Sequence, residues 1–233
     1  MKLEVLLSCM NESDFSIIEK SNLSTVTTLL VNQCSGDEEE ILMQGIHKMI
    51  RTSTKGLSIS RNIAILNSDA DICLLADDDE YFVDGLDQKV SEAYVTCPEA
   101  DIIIFKISNK IKKLGNEIRR LKKVDLLRVC SVQISFRLES VKGKILFDPK
   151  LGAGSGNGTS EENKFLLDCY KAGLKIYYVP VDIATLRDGE STWFRGFDEE
   201  FFFNRGKTTR YIFGAPFALL YGVYYLVRKI PEY

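Results

Sequence analysis

Short apolar runs recur along the chain at intervals that leave room for a helix between them. Leu3–Leu7, Val26–Val31, Ile72–Ala76, Asp101–Ile107 and Lys175–Val179 are rich in Ile, Val, Leu and Tyr and show little polar alternation. That pattern predicts strands covered on both faces, as parallel strands are. Val132–Leu138 predicts one more strand. The intervening spacing predicts helices over Glu38–Met49, with Ile41, Leu42, Gly45, Ile46 and Met49 on one face, and over Ser58–Leu66, Asp84–Tyr94 and Glu161–Ala172. The last is closed at Gly173, a C-cap position. Asn11–Asp14 and Asn32–Asp37 read as turns. Strands alternating with helices predict an α/β single domain, a mostly parallel central sheet flanked by helices.

Composition narrows the chemistry. In 233 residues there is one histidine, His47, which excludes a two-histidine mechanism or a His-rich zinc site. Net charge is −3, so nothing global points to nucleic acid. Six scattered cysteines form no Cys-x-x-Cys pair and predict reduced thiols, hence a cytoplasmic setting. The first residues predict a strand rather than a signal peptide. Residues 106–128 hold nine basic and two acidic side chains, a local +7 that leaves −10 to the rest. That stretch reads either as a solvated loop or as a surface for anionic lipid or pyrophosphate.

Two constellations carry chemistry. Asp77-Asp78-Asp79-Glu80 directly follows a predicted buried strand. In open α/β sheets ligands bind at such carboxyl ends, and crowded carboxylates there suit Mg²⁺ or Mn²⁺ shared with phosphate oxygens. A solvated acidic turn is the plainer alternative. The second is the glycine-rich stretch Gly152–Ser160 with Glu161-Glu162 behind it. It matches no phosphate-loop pattern, and it reads either as a surface loop with a dipole-stabilised helix start or as a mobile loop delivering a carboxylate base.

In order and spacing, three stretches resemble family 2 glycosyltransferases of the GT-A fold, bacterial surface-polysaccharide members above all. They are Ser60-Arg61-Asn62-Ile63-Ala64, Leu74–Asp79, and Glu161-Glu162 followed by Gly173 and Lys175–Pro180. The family's acidic motif after the second strand is here Val31-Asn32-Gln33-Cys34-Ser35, with amides for acids. The resemblance implies inverting transfer from a nucleotide-sugar, a UDP-sugar first, to a glycan or polyprenyl-linked acceptor. It implies Asp79 and Asp77 as ligands of Mn²⁺ or Mg²⁺, with Asp77 and Asp78 near the donor, and Arg61, Ser8, Gln33 and Leu7 at the nucleotide. It implies Glu162 as general base with Glu161 competing, and Trp193 and Arg195 at the acceptor.

Tyr211–Val227 contains no charge, yet at 17 residues with Pro216 it is short for a bilayer span. It predicts either an interfacial helix on the inner face of the membrane or one packed on the core. The expected division is a catalytic domain over 1–205, with a donor half 1–105 and an acceptor half 106–205, and a C-terminal segment 206–233. A sugar nucleotidyltransferase and a catalytically silent sugar-binding protein are the rival readings.

Overall fold

The computed structural model describes residues 1–36, 39–109, 114–157, 159–187 and 199–228. The chain opens with β1 (Leu3–Met10), α1 (Ser16–Lys20) and β2 (Thr28–Gln33). The hairpin β3 (Glu40–Gln44) and β4 (His47–Thr52) leads into α2 (Leu57–Asn67), β5 (Ile72–Asp77), β6 (Glu80–Phe82) and α3 (Leu86–Thr96). The second half comprises β7 (Ile102–Ile107), β8 (Arg119–Arg120), β9 (Ile134–Arg137), α4 (Leu138–Val141), α5 (Glu161–Lys171), β10 (Ile176–Leu186), α6 (Glu199–Phe213) and α7 (Ala215–Arg228).

Among the described residues the strands form one ten-stranded sheet, ordered β3-β4-β2-β1-β5-β9-β7-β10-β6, with β8 paired to β10. β4, β2, β1 and β5 are parallel neighbours, and β7 is parallel to β10. β9 is the antiparallel wedge between these two parallel sets. The apolar runs are continuous because successive side chains enter different cores. Val5, Leu7, Leu30, Leu74 and Ala76 face one, while Leu6, Leu29, Val31, Cys73 and Leu75 face the other. Each of the leucine and valine side chains contributes about 1.5–3 kcal/mol by leaving water. All six cysteines are free thiols, four of them buried.

The predicted helix over Glu38–Met49 is, over its described residues, the β3–β4 hairpin. Gly45 takes φ 59° in its two-residue turn, and Met49 and Ile50 pair in register with Leu30 and Val31. The apolar positions that fit a helical period also fit two short strands, and the open edge of β2 decides between them. Ile41 and Ile46, placed on the buried face of that helix, are instead 61% and 50% exposed. The predicted strand Val132–Leu138 divides into a 3₁₀ turn at Ser131–Gln133, β9 and the start of α4. The uncharged C-terminal stretch is broken at Gly214, φ 84°, and the expected boundary at 205/206 falls inside α6. Among the described residues no helix is long and apolar enough to cross a membrane.

Candidate active site

Parallel pairing brings the carboxyl ends of β1, β2 and β5 to one edge, where Ser8 is level with Asp77 and Val31. His47 lies at the opposite, amino edge of the same strands. At this edge α2 starts after Gly56, and its Arg61 side chain is fully buried. One guanidinium nitrogen donates to both carboxylate oxygens of Asp77, at 2.8 and 3.1 Å, and the other donates to Glu161 Oε1 at 2.9 Å. The guanidinium also lies over the Phe147 ring, 5.5 Å from its centroid. Burial alone would depress the Arg61 pKa; the two carboxylates outweigh it and hold the group charged. Ser131 Oγ donates to Asp77 at 3.3 Å.

This bridge joins the two constellations singled out from the sequence, the acidic run after β5 and the acidic start of α5. Asp77 is half-buried and Asp78 and Asp79 are exposed on the turn to β6. Desolvation, then the charges of Asp77 and Asp79, raise the Asp78 pKa. Glu80 differs from its neighbours. It is fully buried, neither of its oxygens has a hydrogen-bond partner among the described residues, and burial followed by repulsion from Asp77 and Asp79 raises its pKa well above the ordinary 4.5.

At the head of α5, Glu161 is buried against Arg61. Glu162 keeps part of its surface exposed, but protein crowds its carboxyl. That desolvation, followed by the charge of Glu161, pushes its pKa up to about 8. The preceding residue, Ser160, takes the left-handed conformation at φ 73° and makes no side-chain cap to the helix.

The glycine-rich stretch docks against the start of α2. Leu57 N–H donates to Ala153 O at 2.9 Å and Ser58 Oγ to Leu151 O at 2.7 Å. A Cβ on Gly152, φ 93°, would lie 3.3 Å from Glu161 and from Ser58 Oγ; one on Gly154 would lie 3.2 Å from Gly56 Cα. These glycines permit close approach of two backbones beside Glu161.

The remaining predicted residues divide. Ser8 belongs to the cluster, its Oγ accepting from Ser60 Oγ at 2.8 Å. Gln33 sits at the same edge, but its amide donates to Thr54 O at 2.8 Å and Gly56 O at 3.3 Å, which ties β2 to the approach to α2. The Leu7 side chain is in the hydrophobic core. Trp193 and Arg195 lie outside the described residues. Sequence reasoning missed Ser131 and Phe147, which hold the Asp77–Arg61 pair, and the burial of Glu80; no local motif marks any of them.

A parallel core with acidic groups gathered at the carboxyl end of β5, and a mixed sheet beyond, is a GT-A-like α/β fold. Crystal structures of S. aureus TarS share it. One superposes with TM-score 0.60 and 14% identity over 90% of this chain and 39% of that one. The 1–349 fragment in complex with UDP-GlcNAc gives 0.60 and 14% over 90% and 66% of the respective chains, and the complex with UDP 0.58 and 14% over 88% and 64%. This chain therefore spans less than two thirds of each. At such identities the likeness establishes the fold. No protein-family profile matches the sequence, and no curated protein matches it.

Proposed function

We infer that this chain is an inverting glycosyltransferase that moves a sugar from a UDP-sugar to a hydroxyl of a glycan or polyprenyl-linked acceptor. The observation that carries this reading is the buried Arg61 bridge. It sets a carboxylate cluster suited to a nucleotide-diphosphate beside a carboxyl suited to take a proton, on a fold shared with a protein solved with UDP and UDP-GlcNAc. The acceptor oxygen bonds to the anomeric carbon as the bond to the diphosphate breaks. The hydroxyl proton passes to Glu162, and the nucleoside diphosphate leaves. Glu162 suits the base role better than Glu161, because Glu161 is ion-paired to Arg61 while burial raises the Glu162 pKa to about 8.

Among the described residues no three His, Cys, Asp or Glu side chains are grouped to hold a metal. Both Asp77 oxygens accept from Arg61, and Asp78 and Asp79 are exposed on the turn. Exposed carboxylates crowded together fit Mg²⁺ or Mn²⁺ completed by substrate phosphates, with Asp79 the ligand and Asp77 a hydrogen-bonded support. When bound, the ion supplies Lewis-acid stabilisation of the leaving diphosphate. Trp193 and Arg195 are assigned to the acceptor on sequence alone.

The outer face of α7 exposes Leu219, Leu220, Val223 and Tyr224 at 51–71%, beside the exposed Lys207 and Arg210 of α6. This face suits the headgroup layer of an anionic membrane, and we place the enzyme peripherally on the inner surface, where capsular and other surface polysaccharides are assembled. The deciding experiment is a panel of nucleotide-sugars with Mn²⁺, read by calorimetry and by slow donor hydrolysis. One UDP-sugar should bind and turn over; binding of none would overturn the reading. Flotation with anionic vesicles at low salt tests the membrane placement, and protein left entirely unbound would refute it.

A further inference from the structure

The C-terminal helices do more than cover the second core. Ile212 and Phe213 pack against that core, and Tyr211 donates to Asp148 at 2.7 Å, so α6 is anchored along its last turn. One turn and a half earlier, Arg205 reaches back to the head of α5. Its guanidinium donates to Ser160 Oγ at 3.1 Å and lies 3.4 Å from Thr159 Oγ1. Its other terminal nitrogen donates to Tyr221 on α7 at 3.2 Å, and the cation lies 5.8 Å from the Tyr221 ring centroid. A cavity of about 70 Å³ opens at this junction, lined by Ser160, Asn163, Arg205, Thr208 and Tyr221 among others. Thr208 is 2% exposed and its hydroxyl has no partner among the described residues.

Ser160 is the pivot. A non-glycine residue in the left-handed region costs about 1 kcal/mol or more and persists only where surrounding contacts enforce it. Here the hydroxyl that would ordinarily cap α5 accepts from Arg205 instead, and the turn it makes aims the first residues of the helix. We propose that Arg205, backed by Tyr221, is the positioning residue for Glu162: it holds the Ser160 turn and brings a fixed positive charge to the base. The proposal rests on the base assignment made above. The charged groups facing Glu162 are Glu161 on its own helix, which disfavours its ionised form, and Arg61 from α2 and Arg205 from α6, which favour it.

The test separates the two claims. In ¹³C-carboxyl NMR of the full chain without ligand, Glu162→Gln identifies the Glu162 signal. Its midpoint should move to higher pH in Arg205→Met and stay near the parent value in Arg205→Lys. An unchanged midpoint in a folded Arg205→Met protein overturns the proposal. In the second arm, Arg205→Met should bind UDP as the parent does yet turn over donor up to about 10²-fold more slowly, the scale of a misplaced catalytic group. Ser160→Gly, which keeps the backbone conformation but removes the hydroxyl, should show part of that loss with the midpoint nearly unmoved. A midpoint that shifts in Arg205→Met while the parent turns over no UDP-sugar would sink the glycosyltransferase reading and leave only the charge coupling between Arg205 and Glu162 standing.

Discussion

Glu80 offers a prediction that needs no substrate. Replacing it with glutamine keeps the size and shape of a protonated glutamate and removes the titration. In the folded chain both oxygens are buried with no hydrogen-bond partner among the described residues, and burial and the flanking aspartates raise the pKa well above 4.5. In the unfolded chain the group ionises near 4.5. Below that pH both states bind the proton, and Glu80 imposes no pH-dependent penalty. As pH rises between the two values, the unfolded chain sheds a proton that the folded chain retains. Stability conferred by this group then falls by about 1.4 kcal/mol for each pH unit, and levels off once pH passes the folded value. Domains have about 5–15 kcal/mol in total, so a single unit is measurable. The assay is urea denaturation of parent and Glu80→Gln proteins from pH 4 upward. The difference should be smallest at pH 4 and widen in favour of the glutamine variant at that slope. Two stability curves that stay parallel across the range would refute the argument, because they would show that Glu80 titrates alike in both states.

Three further outcomes follow from the same geometry. Glu162→Gln should bind UDP normally while losing transfer by about 10²-fold or more, and the parent's transfer rate should climb with pH towards about 8 as Glu162 ionises; a variant as active as the parent would remove Glu162 from the mechanism. Arg61→Met removes the cation shared by Asp77 and Glu161, leaves their charges uncompensated, and should destabilise the fold by about 3–5 kcal/mol, read by thermal or urea unfolding; a change under 1 kcal/mol would show that the bridge is dispensable. Asp79→Asn should weaken UDP binding in Mn²⁺ and change little in EDTA, and equal parent affinities under both conditions would refute a metal on Asp79.

Much of this arrangement is legible in the sequence. The continuous apolar runs of β1 and β5 announced strands covered on both faces, and an acidic run placed immediately after one of them could only emerge at a sheet edge. The helix start at Glu161 was equally plain from the periodicity behind it. What stayed hidden depends on partners far away in sequence. Ile41, Leu42 and Met49 satisfy a helical period as well as two strands, and only the unpaired edge of β2 chooses. Glu80 reads like its three acidic neighbours until Phe82 and the core fix β6 and turn its side chain inward. Arg205 is one more basic residue on a polar helix until α6 is laid across the head of α5.

Arg61 and Glu161 stand 100 residues apart in the chain. During synthesis α2, β1 and β5 emerge well before α5, so a growing chain already possesses the acidic turn but not the second partner of the arginine. Its guanidinium then faces a half-built interior with one counter-charge, a state that favours solvent over burial. Closing so long a loop is also slow compared with forming the local β1–α2–β5 contacts. Assembly of the Arg61 cluster is thus tied to completion of the chain through residue 161 and beyond. A ribosome-stalled or truncated product ending before α5 would carry every group around Asp77 and still lack the buried bridge that joins the two acidic clusters.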